Sequence, residues 1–222
     1  MADDDEAQLQ TSARMSTFGR FHDVARRHLG LMQETLASIP PEPPHPWAEE
    51  GPERIAWDVW EHGASGIRER ADEHATIAII FSCAACELYI NDAAARLLGD
   101  KYSESHIDNL DLVSKWMIVP RLAFGHTIDR SGRAYNLLRL LVRARNDLMH
   151  PKSKPFSWEK FDEEAKKAAG KNPPKTRIDF APEAIEALDR LGEEAEKFDL
   201  QGQGAGLYDH EEHVRRMWER AK

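Results

Sequence analysis

The sequence predicts an all-α protein: apolar residues recur at helical spacing, prolines and glycines separate the periodic stretches, and no strand-like alternation of useful length appears. A chain of 222 residues is enough for one principal core with helical attachments, and no internal repeat is visible. Four segments are expected. Residues 1–13 form a polar, acidic, disordered tail, 14–64 an N-terminal helical segment with a proline-rich linker, 65–200 the main helical bundle, and 201–222 a linker and C-terminal helix.

The first helix is expected from about Thr17 to Ile39, where Phe18, Phe21, Val24, Ala25, Leu29, Met32 and Leu36 fall on one face. Pro40-Pro41-Glu42-Pro43-Pro44-His45-Pro46 then makes a stiff linker. A tryptophan-containing segment from about Pro52 to Trp60 leads, through the breakers Gly63 and Gly66, into a long helix from about Ile67 to Leu98 with Gly99 as its C-cap. A helix from about Asp108 to Trp116 is expected to be ended by Pro120, and the turn Asp129-Arg130-Ser131-Gly132 introduces a helix over 133–149. Charged helices follow at about 157–169 and 182–198, separated by the loop Lys171-Asn172-Pro173-Pro174, and Gln201-Gly202-Gln203-Gly204-Ala205-Gly206 links to a short terminal helix.

The start, Ala2-Asp3-Asp4-Asp5-Glu6, is acidic and has no apolar stretch after it, so a soluble cytoplasmic protein without a membrane partner is expected. The apolar run from Ala75 to Cys86 is shorter than the roughly 20 residues of a membrane span. Cys83 and Cys86 stand three apart without a second ligand pair, so they are expected to be small core residues, with no metal or other cofactor. A net charge of -9 argues against non-specific nucleic-acid binding by the protein as a whole. Locally the balance inverts: Arg130, Arg133, Arg139, Arg143, Arg145, Lys152 and Lys154 are opposed only by Asp147. Such a strip is either a solvated helix face or a phosphate-contacting surface.

Two charged residues interrupt apolar stripes. Leu138, Leu141, Val142, Leu148 and Met149 share a helical stripe whose missing place is Arg145. Ile80, Cys83, Ala84, Ile90 and Ala94 make another, interrupted by Glu87, with Asn91 one turn on. An unpaired buried charge costs several kcal/mol, as an order of magnitude, so Arg145 must be paired or must face a cleft or partner. The structural alternative is a buried Glu87–Arg145 ion pair between packed helices. His150 precedes Pro151, which disfavours helical geometry at the histidine and should end the helix there. An ideal helix would hold Arg145 and His150 about 140° apart; the break removes that obstacle, and Asn146 is placed to orient the imidazole. Alternatively His150 is a helix-dipole cap.

Arg145-Asn146-Asp147-Leu148-Met149-His150 resembles the signature of HEPN domains (higher eukaryotes and prokaryotes nucleotide-binding): an arginine, often followed by a polar residue, four to six intervening residues, then histidine, late in a helical bundle. The resemblance covers roughly residues 65–170 and includes an acidic residue in an earlier core helix, here Glu87. It implies a homodimer whose arginine and histidine elements line one cleft and, in many members, metal-independent RNA cleavage in toxin-antitoxin, phage-defence or RNA-processing settings. An antitoxin or other regulatory protein is then a further possible partner. On this resemblance His150 acts as general base or acid, Arg145 stabilises charge developing on phosphorus, Asn146 orients the histidine, and Glu87 supports Arg145. Arg139, Arg143, Lys152 and Lys154 would contact the RNA backbone. The expected activity is transesterification to a cyclic 2',3'-phosphate; the alternative is a non-catalytic HEPN-like nucleotide- or protein-binding scaffold.

Other motifs fail on spacing. His210-Glu211-Glu212-His213 lacks histidines four apart, and Gly202, Gly204 and Gly206 lack the flanking strand and helix of a phosphate-binding loop.

Overall fold

The computed structural model describes residues 16–45, 50–149 and 175–199. They form an all-α bundle of six α-helices: α1 (Ser16–Ala37), α2 (Pro52–Leu98), the single turn α3 (Asp100–Tyr102), α4 (Leu112–Phe124), α5 (Arg133–Met149) and α6 (Arg177–Asp199). A π-helical turn, Ser103–Ile107, continues α3. The expected tail over 1–13, the helix at 157–169, the loop 171–174, and the linker and helix over 201–222 lie outside the described residues.

The bundle is organised around α2, which packs against every other long helix. Ala71, Ala75, Ala78, Ala85, Ala93 and Ala94 are buried along it, and such short side chains allow neighbouring helix axes to approach closely. Larger groups then lock the contacts. Tyr89 stacks on Trp116 of α4 at 5.5 Å between ring centres, and Phe18 of α1 meets Tyr89 edge-on, also at 5.5 Å. The Trp116 indole N–H donates to the Cys86 carbonyl at 3.2 Å, satisfying a buried donor. Phe124 stacks on Phe198, joining the ends of α4 and α6. Salt bridges tie the rims: Arg133 holds Glu186 through two bonds of 3.1 and 2.7 Å, Arg177 meets Asp72 at 3.0 Å, and Arg26 pairs with Asp189.

Several boundaries differ from expectation for identifiable reasons. Pro52–Leu98 is one unbroken helix of 47 residues, so Gly63 and Gly66 do not interrupt it and the boundary placed after residue 64 falls inside it. Contacts along the preceding segment offset the weak helix propensity of glycine: the Trp60 indole donates to the Pro40 carbonyl at 3.0 Å, and Trp57 lies 4.8 Å from the His45 ring. By length and composition α2 also contains an 18-residue window apolar enough to cross a membrane, with mean hydropathy 1.4; 56% of that window is buried within the bundle.

Helix α4 begins at Leu112, later than expected, because Asp111 caps it by accepting from the Ser114 N–H at 3.0 Å. That amide and the Ser114 hydroxyl hold the Asp111 carboxyl below its usual range, the hydroxyl being the larger influence. Pro120 lies inside α4 instead of ending it, and the helix runs to a left-handed Gly125 with φ of 77°. Likewise α6 starts at Arg177, five residues before Pro182. Its start is a reciprocal cap: the Asp179 carboxylate accepts from the Thr176 N–H at 2.9 Å, while the Thr176 hydroxyl accepts from the Asp179 N–H at 3.2 Å.

Continuity of α2 through its glycines gives a test. A Cβ built on Gly63 meets nothing within 4 Å. Gly63→Ala should therefore stabilise the fold by about 0.5–1 kcal/mol in urea denaturation, since alanine is the better helix former. A loss of stability would contradict a helical, open Gly63.

Candidate functional site

The candidate residues described on α5 lie where that helix rises out of the core. Ala134, Leu137, Leu138 and Leu141 are buried, Val142 and Leu148 are partly buried, and Met149 is 55% exposed. The stripe expected from Leu138 to Met149 therefore runs out toward the helix end, and Met149 does not belong to the core. Arg145 sits in this transition and is half-buried.

On α2, Cys83, Ile90 and Ala94 are buried, whereas Ile80, Ala84, Glu87 and Asn91 are intermediate. Glu87 thus lies on the margin of a helix covered on most sides, and its side chain is 41% exposed. Its ion-pair partner is not Arg145. Lys115 of α4, only 3% exposed, brings its ammonium to 3.7 Å from Glu87 Oε1. Burying a lysine this deeply requires an anion beside it, and Glu87 supplies one by leaning across from α2.

Arg145 instead lies beside Cys83, near enough for its guanidinium to act on the thiol. Burial pushes the Cys83 thiol up; the Arg145 hydrogen bond and charge oppose that, and the Glu87 charge adds to it. Burial likewise pushes Cys86 well up, so both free cysteines are held as thiols. Among the described residues Arg145 makes no ion pair. A thiol is a weak acceptor, so a guanidinium with five N–H donors keeps most of its capacity for another ligand.

The remaining positions divide by face. Arg139, Arg143 and Asn146 are exposed and fall at offsets 0, 4 and 7, one outward row on α5. Arg139 lies over the Tyr135 ring at 5.8 Å, and Arg143 is 4.0 Å from Asp147 with both side chains largely in solvent, which makes that pair weak. Arg145 points away from this row toward α2. His150, Lys152 and Lys154 lie outside the described residues. Among the described residues no group of three or more histidine, cysteine, aspartate or glutamate side chains is arranged to hold a metal ion.

Lys115 was missed by pattern analysis although its signal was present. Leu112, Trp116 and Val119 stand at offsets 0, 4 and 7 of a buried stripe, and Lys115 occupies offset 3. It is the same kind of charged intrusion that singled out Arg145 and Glu87.

No protein-family model, no curated protein and no solved structure matches the chain.

The Lys115–Glu87 geometry predicts unequal consequences for its two partners. Glu87→Gln strands a buried ammonium and should cost about 2–3 kcal/mol, below the roughly 3–5 of a fully buried pair because Glu87 is partly exposed. Lys115→Met replaces the charge with an apolar group of similar length and should stay within about 1 kcal/mol of wild type. Urea denaturation midpoints distinguish them, and equal losses would mean that the pair is not the source of the cost.

Proposed function

We propose that this chain is a HEPN-type endoribonuclease that cuts RNA without a metal ion, acting as a homodimer. The observation that supports this most is the disposition of Arg145. It stands half-buried where α5 leaves the core, and the acidic residue expected to neutralise it, Glu87, is engaged by Lys115. A guanidinium beside a neutral thiol keeps its charge, the condition needed to meet a phosphate with a fixed fork of donors.

The outward row of Arg139, Arg143 and Asn146 adds a cationic edge along which an RNA backbone can run, on a protein whose overall charge is -9. His150 follows the last residue of α5 in the sequence and lies outside the described residues. In the proposed reaction the imidazole of His150 takes the proton from a ribose 2'-hydroxyl, whose oxygen attacks the adjacent phosphorus. The 5'-oxygen leaves and is protonated, and the cyclic 2',3'-phosphate remains. Arg145 offsets the charge gathering on the phosphoryl oxygens, and Asn146 holds the imidazole. The second copy would set a matching arginine and histidine across the cleft.

Purified protein assayed with RNA in EDTA should cut it, with a 2',3'-cyclic phosphate on the upstream product. Arg145→Ala and His150→Ala should each lower the rate by about 10²–10⁴ while circular dichroism shows the fold retained. Failure to cut diverse RNAs, with salt-sensitive RNA binding preserved, would replace the nuclease by the non-catalytic binding scaffold; absence of both would remove RNA as the ligand.

A further inference from the structure

Along the seam between α1 and α2 the structure brings two histidines nose to nose. His28 Nδ1 of α1 lies 3.1 Å from His74 Nδ1 of α2, with ring centres 5.1 Å apart, and both side chains are partly buried. Two imidazole nitrogens at this distance form a hydrogen bond only when one carries a proton and the other does not. A neutral pair or a singly charged pair satisfies that condition. Once both rings are cationic, two N–H groups and two charges oppose each other. We propose that His28 and His74 form an acid-released clasp that holds α1 against α2.

The surroundings oppose a second proton. Burial, then His74, then neighbouring Arg27 all push His28 down from its usual value. Around His74, Arg70 lies one turn earlier on α2, and Arg177 of α6 bridges Asp72 and Thr76, two residues to either side. Asp72 is thus already matched to a cation, while Glu73, adjacent to His74, is exposed.

A third histidine farther along α1 leans the same way. The Arg26 guanidinium donates to His22 Nε2 at 3.0 Å, a bond that a protonated ring cannot accept. Burial and Arg26 push His22 down, against the opposing charges of Asp189 and Asp23. The His28–His74 pair flanks the smaller of the two buried apolar clusters, where Met32 of α1 packs with Ala71, Ala75 and Ala78 of α2 and Ala181 of α6. Acid should therefore loosen α1 both from this alanine face and from the larger cluster that Ala25 joins, while the contacts among Trp116, Leu138 and Leu141 stay closed.

The sign follows from linkage. A histidine whose folded value is depressed takes up its proton first in the opened state. The closed seam therefore loses stability as pH falls below the ordinary value of 6.5, and the loss levels off once the folded pair is itself protonated. One excluded proton corresponds to a roughly tenfold larger opening constant per pH unit across that window.

The test is amide hydrogen exchange, corrected for intrinsic rates, on the full chain at about pH 7.5 and about pH 5.5. Opening over 16–37 should increase by roughly tenfold at the lower pH relative to α4 and α5, and His28→Gln and His74→Gln should each remove most of that increase. An equal response in wild type and variants, or equal loosening of every helix, would overturn the clasp. If the variants do not fold, ring-proton titration of wild type decides: two separated steps support the shared proton, and two independent titrations near 6.5 refute it.

Discussion

The small-residue surface of α2 is the constraint on which the other helices depend. A helix buried on most sides cannot carry large side chains everywhere without holding its neighbours apart, and α2 meets this with seven alanines that are almost completely enclosed, Ala64 among them. Close approach of α1 and α6 follows, and so does the need for specific anchors, because alanine contacts alone do not select one rotation of a helix against its neighbour. Tyr89, packed between Phe18 and Trp116, and the indole bond to the Cys86 carbonyl supply that selection. Replacing any of these alanines by leucine would force the helices apart, and overpacking a filled core typically costs about 1–3 kcal/mol.

The same geometry fixes where charge can be placed. Glu87 and Asn91 lie on a partly open margin of the C-terminal third of α2, where a cation on a neighbouring helix can reach an anion. Lys115 takes the position on α4, and Arg145 on α5 is left with the Cys83 thiol. The distribution is a consequence of reach: α4 passes close to Cys86 and Glu87, whereas α5 meets α2 a turn earlier, at Cys83. Two cations and one anion in this region give a local excess of positive charge on an acidic protein.

Much of this was legible in the amino-acid sequence. The spacing of Phe18 through Leu36 marks α1, Gly99 marks the end of α2, and the Asp129–Gly132 turn places the start of α5 within a residue. Errors arose where a local signal was outweighed by packing or by a cap that was not recognised. Gly63, Gly66 and Pro120 are weak helix residues, yet none stops its helix: Pro120 is buried with Trp116 and Val119, and the two glycines lie in a largely exposed stretch that stays helical between Trp60 and the buried turns from Ala71 onward. Thr176-Arg177-Ile178-Asp179 carried the sequence of a reciprocal cap, but Pro182 drew the expected start five residues late. For the site, periodicity identified Arg145 and Glu87 as intruders on apolar stripes; it could not pair them, because pairing depends on which helix stands opposite. That choice is made by tertiary packing, and it fell to Lys115.

The length of α2 carries a mechanical consequence. At about 1.5 Å per residue, its 47 residues extend roughly 70 Å, several times the ~13 Å radius of gyration of a 100-residue domain. Its N-terminal end bears Trp57 and Trp60, its middle bears His74, and Glu87 lies beyond. A rod of that aspect ratio behaves as a beam: a small change of angle imposed at one support becomes a larger displacement at the far tip. Anything that binds the tryptophan end therefore works with leverage on the turns where Cys83, Glu87, Lys115 and Arg145 meet, and that region can be strained from a distance without being touched.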